Sequence, residues 1–363
     1  MTIVLLLSGL ALLALGGEVL VRGSARLAAM LGLSPLVIGL TVVAFGTSAP
    51  ELAVSVASAY AGQADLAIGN VVGSNICNIL LILGLSALIA PLVVHQQLVR
   101  IDVPLVIIAS LLLVPLGIDG RIGRIEGALL FSGIIAYTVL VVRKGMREGN
   151  DVKQEYEDEY GLSGRRNTMS QAFINLALAA AGVAMLVLGS HWLVIAAVDT
   201  ARYFNVSELV IGLTVVALGT SLPELATSIV ATLRGERDIA VGNVVGSNLF
   251  NLLSVLGLSG LVAPNGIPVP ESAMNFDIPV MIAVAIACLP IFFVNYQISR
   301  LNGALLLGYY IAYLADLVLV STGHDALHGF RQAMTWFVIP LTVGALTIVT
   351  LRSLRYGNLP NSS

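Results

Sequence analysis

Charged side chains are scarce in this sequence. Only 11% of its 363 residues are Asp, Glu, Lys or Arg, whereas 57% are hydrophobic; soluble domains carry about 25% charged residues. The net charge of -3 comes with basic residues scattered over short loops, so no basic patch for a nucleic acid is present. These features exclude a water-soluble protein and a nucleic-acid partner, and they indicate a polytopic protein whose main solvent is the lipid bilayer.

Cysteine and histidine are also rare, with two and four copies. Cys77 and Cys288 lie in separate apolar runs, which predicts small buried hydrophobic residues rather than a disulfide or a metal site. The apolar runs contain no nucleophile–base pair and no His-rich cluster. We therefore expect neither an enzyme nor a cofactor.

Long apolar runs dominate the sequence, and a spanning helix needs about 20 such residues. The first run lacks the positively charged start of a signal peptide, so we interpret it as the first span. The period-two alternation of a membrane barrel is absent, which predicts an all-α fold. The eleven predicted helices cover residues 2–21, 35–60, 64–89, 103–118, 125–143, 172–198, 207–233, 238–263, 277–294, 302–322 and 335–352.

One long polar segment, 144–171, separates five predicted helices from six. We interpret it as a solvated linker, with a regulatory acidic patch as the alternative. With the N-terminus outside, 14 of the 18 basic residues face the inside, so the positive-inside rule favours a cytoplasmic linker and C-terminus. The predicted divisions are a first repeat over 1–143, the linker, a second repeat over 172–322, and an extra helix with a tail over 323–363.

The two repeats are visible in the sequence itself. GLTVVAFGTSAPE at 39–51 recurs as GLTVVALGTSLPE at 212–224, and DLAIGNVVGSNICN at 65–78 recurs as DIAVGNVVGSNLFN at 238–251. Both blocks have an offset of 173 residues. Five helices separate equivalent points, and an odd number reverses direction across the membrane. The sequence therefore predicts inverted repeats, the architecture in which secondary transporters bind substrate near the bilayer midplane.

Each repeat places a carboxylate in the middle of a predicted span, Glu51 in the second helix and Glu224 in the seventh. A charge there costs about 2.5–3.5 kcal/mol on insertion scales. No span centre carries a Lys or Arg, so a bound cation is the most available counter-charge. A protonated Glu pair, acting as proton carriers or joining helices by hydrogen bonds, is the alternative.

Oxygen atoms surround both glutamates, because Thr47, Ser48, Thr220 and Ser221 lie within about one helical turn of them. Ca²⁺ takes about 6–8 oxygen ligands. A proline one residue before each Glu frees the carbonyls of Gly46 and Gly219 from their helical donors. Those carbonyls, and the ones of Ala44 or Ala217 one turn earlier, could face an ion; an ordinary proline kink is the alternative.

Polar residues of the third and eighth helices can complete such a site. Ser74 and Asn78 are four residues apart, as are Ser247 and Asn251, so each pair shares one helix face. Asn75 and Asn248 lie beside that face, and either ion ligation or hydrogen bonding between helices would suit them. The small-xxx-small segments 69–73 and 242–246 predict close packing of the third helix on the second and of the eighth on the seventh.

Other polar residues have simpler interpretations. Asp102 and Asp277 each precede a proline by two residues, which predicts helix caps. Glu18 and its repeat equivalent His191 are expected near the membrane edge, and so is Asp316 late in the tenth helix.

At its repeated motifs the sequence resembles the sodium/calcium exchanger branch of the cation/Ca²⁺ exchanger superfamily. The signatures G-T-S-x-P-E and G-N-x-x-G-S-N each occur twice. The resemblance implies a ten-helix inverted-repeat core in which Na⁺ entry drives Ca²⁺ extrusion by alternating access, with the eleventh helix as a peripheral addition. By motif position, it implies ion binding by Ala44, Thr47, Ser48, Glu51, Ser74, Asn78, Ala217, Thr220, Ser221, Glu224, Ser247 and Asn251.

One position departs from part of that family, because some members carry Asp where this chain has Asn251. Two carboxylates can neutralise one Ca²⁺, whereas three Na⁺ would leave about one positive charge to cross the membrane potential. The linker is too short for the cytoplasmic Ca²⁺-sensing insert of eukaryotic members. An alternative function couples Ca²⁺ or another divalent ion to H⁺ through the Glu pair, and a cation channel fits the broken inverted helices less well. We expect a prokaryotic inner-membrane protein with no obligatory protein partner, and the sequence leaves K⁺ dependence open.

Overall fold

The computed structural model describes residues 2–61, 65–159, 169–204 and 217–356. The all-α membrane fold is confirmed: within these ranges nine helices are long and apolar enough to cross a membrane, or ten when one bent pair counts as a span. The helices are α1 Thr2–Leu31, α2 Pro35–Thr47 bent into Ala49–Tyr60, α3 Leu66–Ile89, α4 Leu98–Leu116, α5 Arg124–Glu159, α6 Met169–Tyr203, α7 Leu222–Leu233, α8 Arg237–Val262, α9 Ala273–Tyr296, α10 Arg300–Thr322 and α11 Ala326–Leu351.

Several helix bounds differ from the predicted ones. The α1 helix continues to Leu31 because its last turns are amphipathic, with Arg22 and Arg26 exposed and Ala25 and Ala28 buried. The α5 helix continues to Glu159, well inside the segment predicted as a linker. The first part of the predicted seventh helix, 207–216, lies outside the described residues, which resume with a short turn over Ala217–Gly219 before α7.

Glycines allow α1 and α6 to pack backbone against backbone. A Cβ atom on Gly9 would lie 2.9 Å from the carbonyl oxygen of Gly189, and one on Gly16 would lie 2.9 Å from that of Gly182. Without those Cβ atoms the two helices approach each other at both points. The first helix of one repeat is thereby joined to the first helix of the other.

Of the spanning helices in the described ranges, α8 is the most deeply buried. In its apolar stretch 94% of the residues are buried, against 28% in that of α1. Its glycines pack on α2: a Cβ on Gly242 would lie 3.0 Å from the Leu36 oxygen, and one on Gly246 would lie 2.7 Å from the Ala44 Cβ. The prediction that these glycines face the seventh helix is therefore wrong. This copy of the motif makes a close approach, but the partner helix belongs to the other repeat. At the other copy, a Cβ added to Gly69 or Gly73 would meet no described atom within 4 Å.

Two short antiparallel ladders also join the repeats. Strand β1, Leu92–Val93, pairs with β4, Gln297–Ile298, and strand β2, Arg121–Ile122, pairs with β3, Ile267–Pro268. Each ladder takes one strand from each half of the chain. Both halves also have a π-helical turn in equivalent helices, over Asn78–Leu83 in α3 and over Phe250–Val255 in α8.

The predicted caps Asp102 and Asp277 are wrong. Both residues have helical backbone angles, and neither side chain makes a capping bond. Instead, the Tyr137 hydroxyl donates to Asp102 Oδ1 and the Tyr313 hydroxyl donates to Asp277 Oδ1, each at 3.0 Å. A tyrosine from the following helix therefore replaces the expected cap as the hydrogen-bond partner.

The acidic residues expected near the membrane edge form ion pairs. Glu18 of α1 contacts Arg22 on its own helix and Arg234 just beyond α7, with Arg234 Nε at 2.7 Å from Glu18 Oε2. Asp316 of α10 accepts two hydrogen bonds from Arg331 of α11, each 2.8 Å long. The second pair ties the eleventh helix to the tenth.

Candidate cation-binding site

The site begins at a break in α2. Ser48 has φ -80° and ψ 5°, the two parts of the helix meet at 45°, and Pro50 lies at the start of the second part. Ser221 has nearly the same angles, φ -87° and ψ 4°, immediately before α7. Because a proline cannot donate to the preceding turn, the chain restarts a helix at each of these points. The new helix N-termini place Glu51 and Glu224 in their first turns, where the helix dipole favours a carboxylate.

The two carboxylates are held across the repeats. Both glutamates are fully buried. The Ser48 hydroxyl donates to Glu224 Oε1 at 3.0 Å, and the Ser221 hydroxyl lies 3.4 Å from Glu51 Oε1. Ser221 also lies 3.2 Å from the Ser74 hydroxyl of α3. Each repeat therefore supplies the hydroxyl that positions the other repeat's carboxylate.

The two threonines before these serines contact the asparagines of the G-N-V-V-G segments. Thr47 Oγ1 donates to Asn243 Oδ1 at 3.0 Å and lies 3.5 Å from the Ser247 hydroxyl. Thr220 Oγ1 donates to Asn70 Oδ1 at 3.2 Å. Thr47 is fully buried and Thr220 is half-buried. The predicted hydroxyl residues thus belong to two repeat-related sets of hydrogen bonds, each of which contains residues of both repeats.

Asn70 and Asn243 were missed by the sequence reasoning as functional residues. Asn70 Nδ2 donates to Ser55 Oγ at 2.9 Å and to the Glu51 carbonyl at 3.4 Å. Asn243 Nδ2 makes the matching bonds to Ser228 Oγ at 3.0 Å and to the Glu224 carbonyl at 3.4 Å. These amides brace the backbone that carries each carboxylate. Their identity in both repeats was the available signal.

The structure favours a positioning role for Asn75 and Asn248, the residues for which ligation and helix joining were equally good interpretations. Each donates through Nδ2 to the other's backbone carbonyl, at 3.4 and 3.5 Å. Their side-chain oxygens accept from Asn251 Nδ2 at 3.3 Å and from Asn78 Nδ2 at 3.0 Å. Both polar ends of these two amides are therefore occupied by protein groups.

Among the buried side-chain oxygens that have no hydrogen-bond partner within the described part of the chain, four belong to predicted ligand residues: Glu51 Oε2, Glu224 Oε2, Asn78 Oδ1 and Asn251 Oδ1. They form two repeat-related pairs. An unpaired buried carboxylate or amide oxygen is costly, so such atoms require a partner. All four are acceptors, which is the chemistry that a hard cation binds. Within the described residues, no group of three or more His, Cys, Asp or Glu side chains is placed to hold a metal ion by itself.

The backbone carbonyls near the breaks are partly occupied. The Ala44 oxygen accepts the Ser48 amide at 3.0 Å and lies 3.4 Å from Thr47 Oγ1. The Gly219 oxygen accepts a short hydrogen bond from Ser190 of α6, so one of the freed carbonyls is used by the protein. Ala217 begins a described segment, but its side chain lies outside the description.

Comparison with known proteins points in the same direction as the site. Residues 1–143 and 174–319 match the family described as sodium/calcium exchanger protein. The inner membrane protein YrbG of Escherichia coli is 38% identical over 322 residues, covering 87% of this chain and 97% of YrbG. The sodium/calcium exchanger MaX1 of Methanosarcina acetivorans is 32% identical over 345 residues, covering 86% and 97%. A solved structure of the sodium-calcium exchanger NCX_Mj superposes with a TM-score of 0.73 at 32% identity, covering 87% of this chain and 98% of that one.

Proposed function

Because this chain belongs to the sodium/calcium exchanger protein family, we propose that it is a secondary antiporter that exchanges Ca²⁺ for Na⁺. The ions bind near the bilayer midplane between α2, α3, α7 and α8. The ligands are oxygens of Glu51, Glu224 and the repeated Thr, Ser and Asn residues, with backbone oxygens of Ala44 and Ala217 completing the set.

The observation that carries this proposal is the set of four unpaired buried oxygens on Glu51, Glu224, Asn78 and Asn251. Two of them belong to carboxylates, and two negative charges match one Ca²⁺. The remaining ligands are neutral hydroxyl and amide oxygens, which suit Ca²⁺ or Na⁺ and disfavour softer metals. The site therefore binds either one divalent ion or several monovalent ions in the same place, as an exchanger requires.

Alternating access follows from the repeats. The breaks at Ser48 and Ser221 lie at equivalent positions of two helices that run in opposite directions. Inverted repeats of this kind open a central site to one side of the membrane and then to the other. The chain then consists of the repeats 1–143 and 172–322, a cytoplasmic linker over 144–171, and an added helix and tail over 323–363.

The test is ⁴⁵Ca²⁺ flux in proteoliposomes under a Na⁺ gradient. Glu51→Gln and Glu224→Gln each remove one negative charge with little change in shape, and each abolishes the flux. Glu126→Gln is the matched control, because the Glu126 carboxylate only accepts a bond from the Gly123 amide at the start of α5. Unchanged flux in either buried variant would refute the site assignment.

The same unpaired oxygens support an alternative coupling ion, H⁺, because Glu51 Oε2 and Glu224 Oε2 can also take up a proton. In that case the protein exchanges Ca²⁺ or another divalent ion for H⁺. Ca²⁺ flux driven by a pH gradient in Na⁺-free vesicles would select this mechanism, and its absence would select Na⁺.

The location proposed is a prokaryotic inner membrane, in line with the name of the YrbG relative. The N-terminus is outside, and the linker and the C-terminus are cytoplasmic. Single cysteines at Asp119 and Arg300, labelled with a membrane-impermeant thiol reagent in intact cells, test the orientation. Labelling at Asp119 alone supports it, and labelling at Arg300 alone reverses it.

A further inference from the structure

The eleventh helix stands apart from its neighbours. A cavity of about 460 Å³ lies between α11 and the facing surfaces of α9 and α10, with Leu80 of α3 also in its wall. No residue of α11 with a described side chain is buried. In the described part of the chain its polar contacts with α10 are those of Arg331 with Asp316 and those of the Tyr309 hydroxyl, which donates to Thr342 Oγ1 at 2.6 Å and to the Val338 carbonyl at 3.4 Å.

The cavity extends lengthwise along the helices that line it. Its wall on α11 runs from Phe330 to Leu346, about 24 Å at 1.5 Å per residue, and its wall on α10 runs from Leu305 to Asp316, about 16 Å. One leaflet of the bilayer's hydrocarbon core is about 15 Å thick. The cavity therefore runs along the helices over a length of at least one leaflet.

The two ends of the cavity differ in chemistry. Asp316, Arg331 and Tyr313 lie at the end nearest the loop between α10 and α11, whereas Ile291, Leu305 and Leu346 line the opposite end. The apolar end cannot hold water by hydrogen bonds. Protein interiors are close-packed, so a cavity of this size beneath a helix needs an occupant.

At membrane depth the apolar molecule available is a lipid, and its shape matches the cavity. We propose that this cavity is a phospholipid-binding site, with one acyl chain between α9, α10 and α11 and the phosphate at Arg331. The Arg331 guanidinium has five N–H donors, of which two bind Asp316, and its side chain is 47% exposed. The guanidinium carbon lies 5.0 Å from the centroid of the Phe276 ring, and the two Nη1–H donors take no part in the pair with Asp316.

The charge balance predicts what kind of lipid binds. Asp316 neutralises Arg331, so the site attracts the phosphate by hydrogen bonds rather than by net charge. Chain burial supplies most of the binding free energy, because every further CH₂ that is buried adds a favourable hydrophobic contribution. The site therefore distinguishes acyl chain length more strongly than headgroup charge.

The test is native mass spectrometry of the full-length protein released from mild detergent, which counts retained phospholipids. The wild-type chain retains one phospholipid, and Ala312→Phe, which fills the cavity from α10, reduces its occupancy at least tenfold. The control is Ala345→Phe on the exposed surface of α11, which leaves occupancy unchanged. Equal retention by Ala312→Phe and the control would overturn the proposal.

A smaller change guards against misfolding of that variant. Ala287→Leu reduces the cavity from α9 and lowers occupancy by less than Ala312→Phe. When lipid is added back to delipidated wild-type protein, phosphatidylglycerol and phosphatidylcholine with 16-carbon chains restore the peak of the lipid-bound form equally. Lipids with 8-carbon chains do not restore it. A restored peak that depends on the headgroup and not on the chain would also overturn the site as proposed. None of these measurements depends on transport.

Discussion

Ser48 donates its hydroxyl hydrogen to Glu224 Oε1 at 3.0 Å, although 176 residues separate the two in the chain. The equivalent contact between Ser221 and Glu51 is 3.4 Å long. Neither carboxylate is positioned by its own repeat alone. A change at one serine therefore acts on the charge of the opposite half, which leads to the first prediction.

We expect Ser48→Ala to weaken Ca²⁺ binding, because it removes a hydrogen bond to a buried carboxylate. Such bonds contribute about 1.5–3 kcal/mol, so the apparent Ca²⁺ affinity falls by about 10- to 150-fold. Flux measured against Ca²⁺ concentration in proteoliposomes gives the affinity. Ser110→Ala is the control, since the Ser110 hydroxyl only bonds back to Val106 O within α4. Equal affinities in the two variants would contradict the role of Ser48.

Asn75→Ala should weaken ion binding although Asn75 is not placed among the ligands. The substitution leaves Asn251 Nδ2 without its acceptor oxygen and the Asn248 backbone carbonyl without its amide donor. We expect the free energy of unfolding to fall by about 1–3 kcal/mol, together with a lower Ca²⁺ affinity. A melting curve with and without Ca²⁺ separates the two effects. Asn302→Ala at the start of α10, away from the site, is expected to change neither quantity.

Gly246→Ala should destabilise the protein, because the new Cβ would lie 2.7 Å from Ala44 Cβ and 2.8 Å from Leu40 O. Both neighbours are fully buried in α2, so the helices must separate. We expect the free energy of unfolding to fall by about 1–3 kcal/mol, which is measured as a lower melting temperature. Gly308→Ala in exposed α10, whose added Cβ meets no described atom within 4 Å, should leave stability unchanged or raise it.

A chain that ends after Gly323 tests whether α11 is peripheral to transport. Gly323 has φ 60° and closes α10 with a left-handed C-cap, so the cut leaves a complete helix end. We expect Na⁺-driven Ca²⁺ flux within about twofold of the full chain, because no predicted ion ligand lies beyond that point. Loss of flux in a truncated protein that still elutes as a single species would show that α11 takes part in transport.

The sequence is most informative about the residues that recur in both repeats. The two glutamates and the hydroxyls beside them were found because polar identities survive at a fixed offset in an otherwise apolar chain. The helix partners could not be found in this way. Periodicity along one helix identifies a small or polar face, but it does not specify which distant helix that face contacts, as the packing of Gly246 on Ala44 shows.

Predictions of the roles of individual side chains were wrong or incomplete for the same reason. Asp102 was interpreted from its local sequence as a cap, whereas its partner is Tyr137 on the next helix. Asn70 and Ser55 bond to each other across two helices, and nothing in their separate segments reveals the contact. The beginning of the seventh predicted helix, including residues 212–216 of the repeated block, lies outside the described residues and stays a prediction.

Contacts between the two halves have a consequence for biogenesis. Glu51 finds its serine partner 170 residues later in the chain, and Thr47 finds its asparagine 196 residues later. At ribosomal speeds of about 5–20 residues per second, the first half waits roughly 10–40 s for these groups to be synthesised. During that interval its carboxylate has no native serine neighbour. Nascent chains arrested before Ser221 should therefore depend on membrane chaperones or insertases more strongly than chains arrested after Asn251.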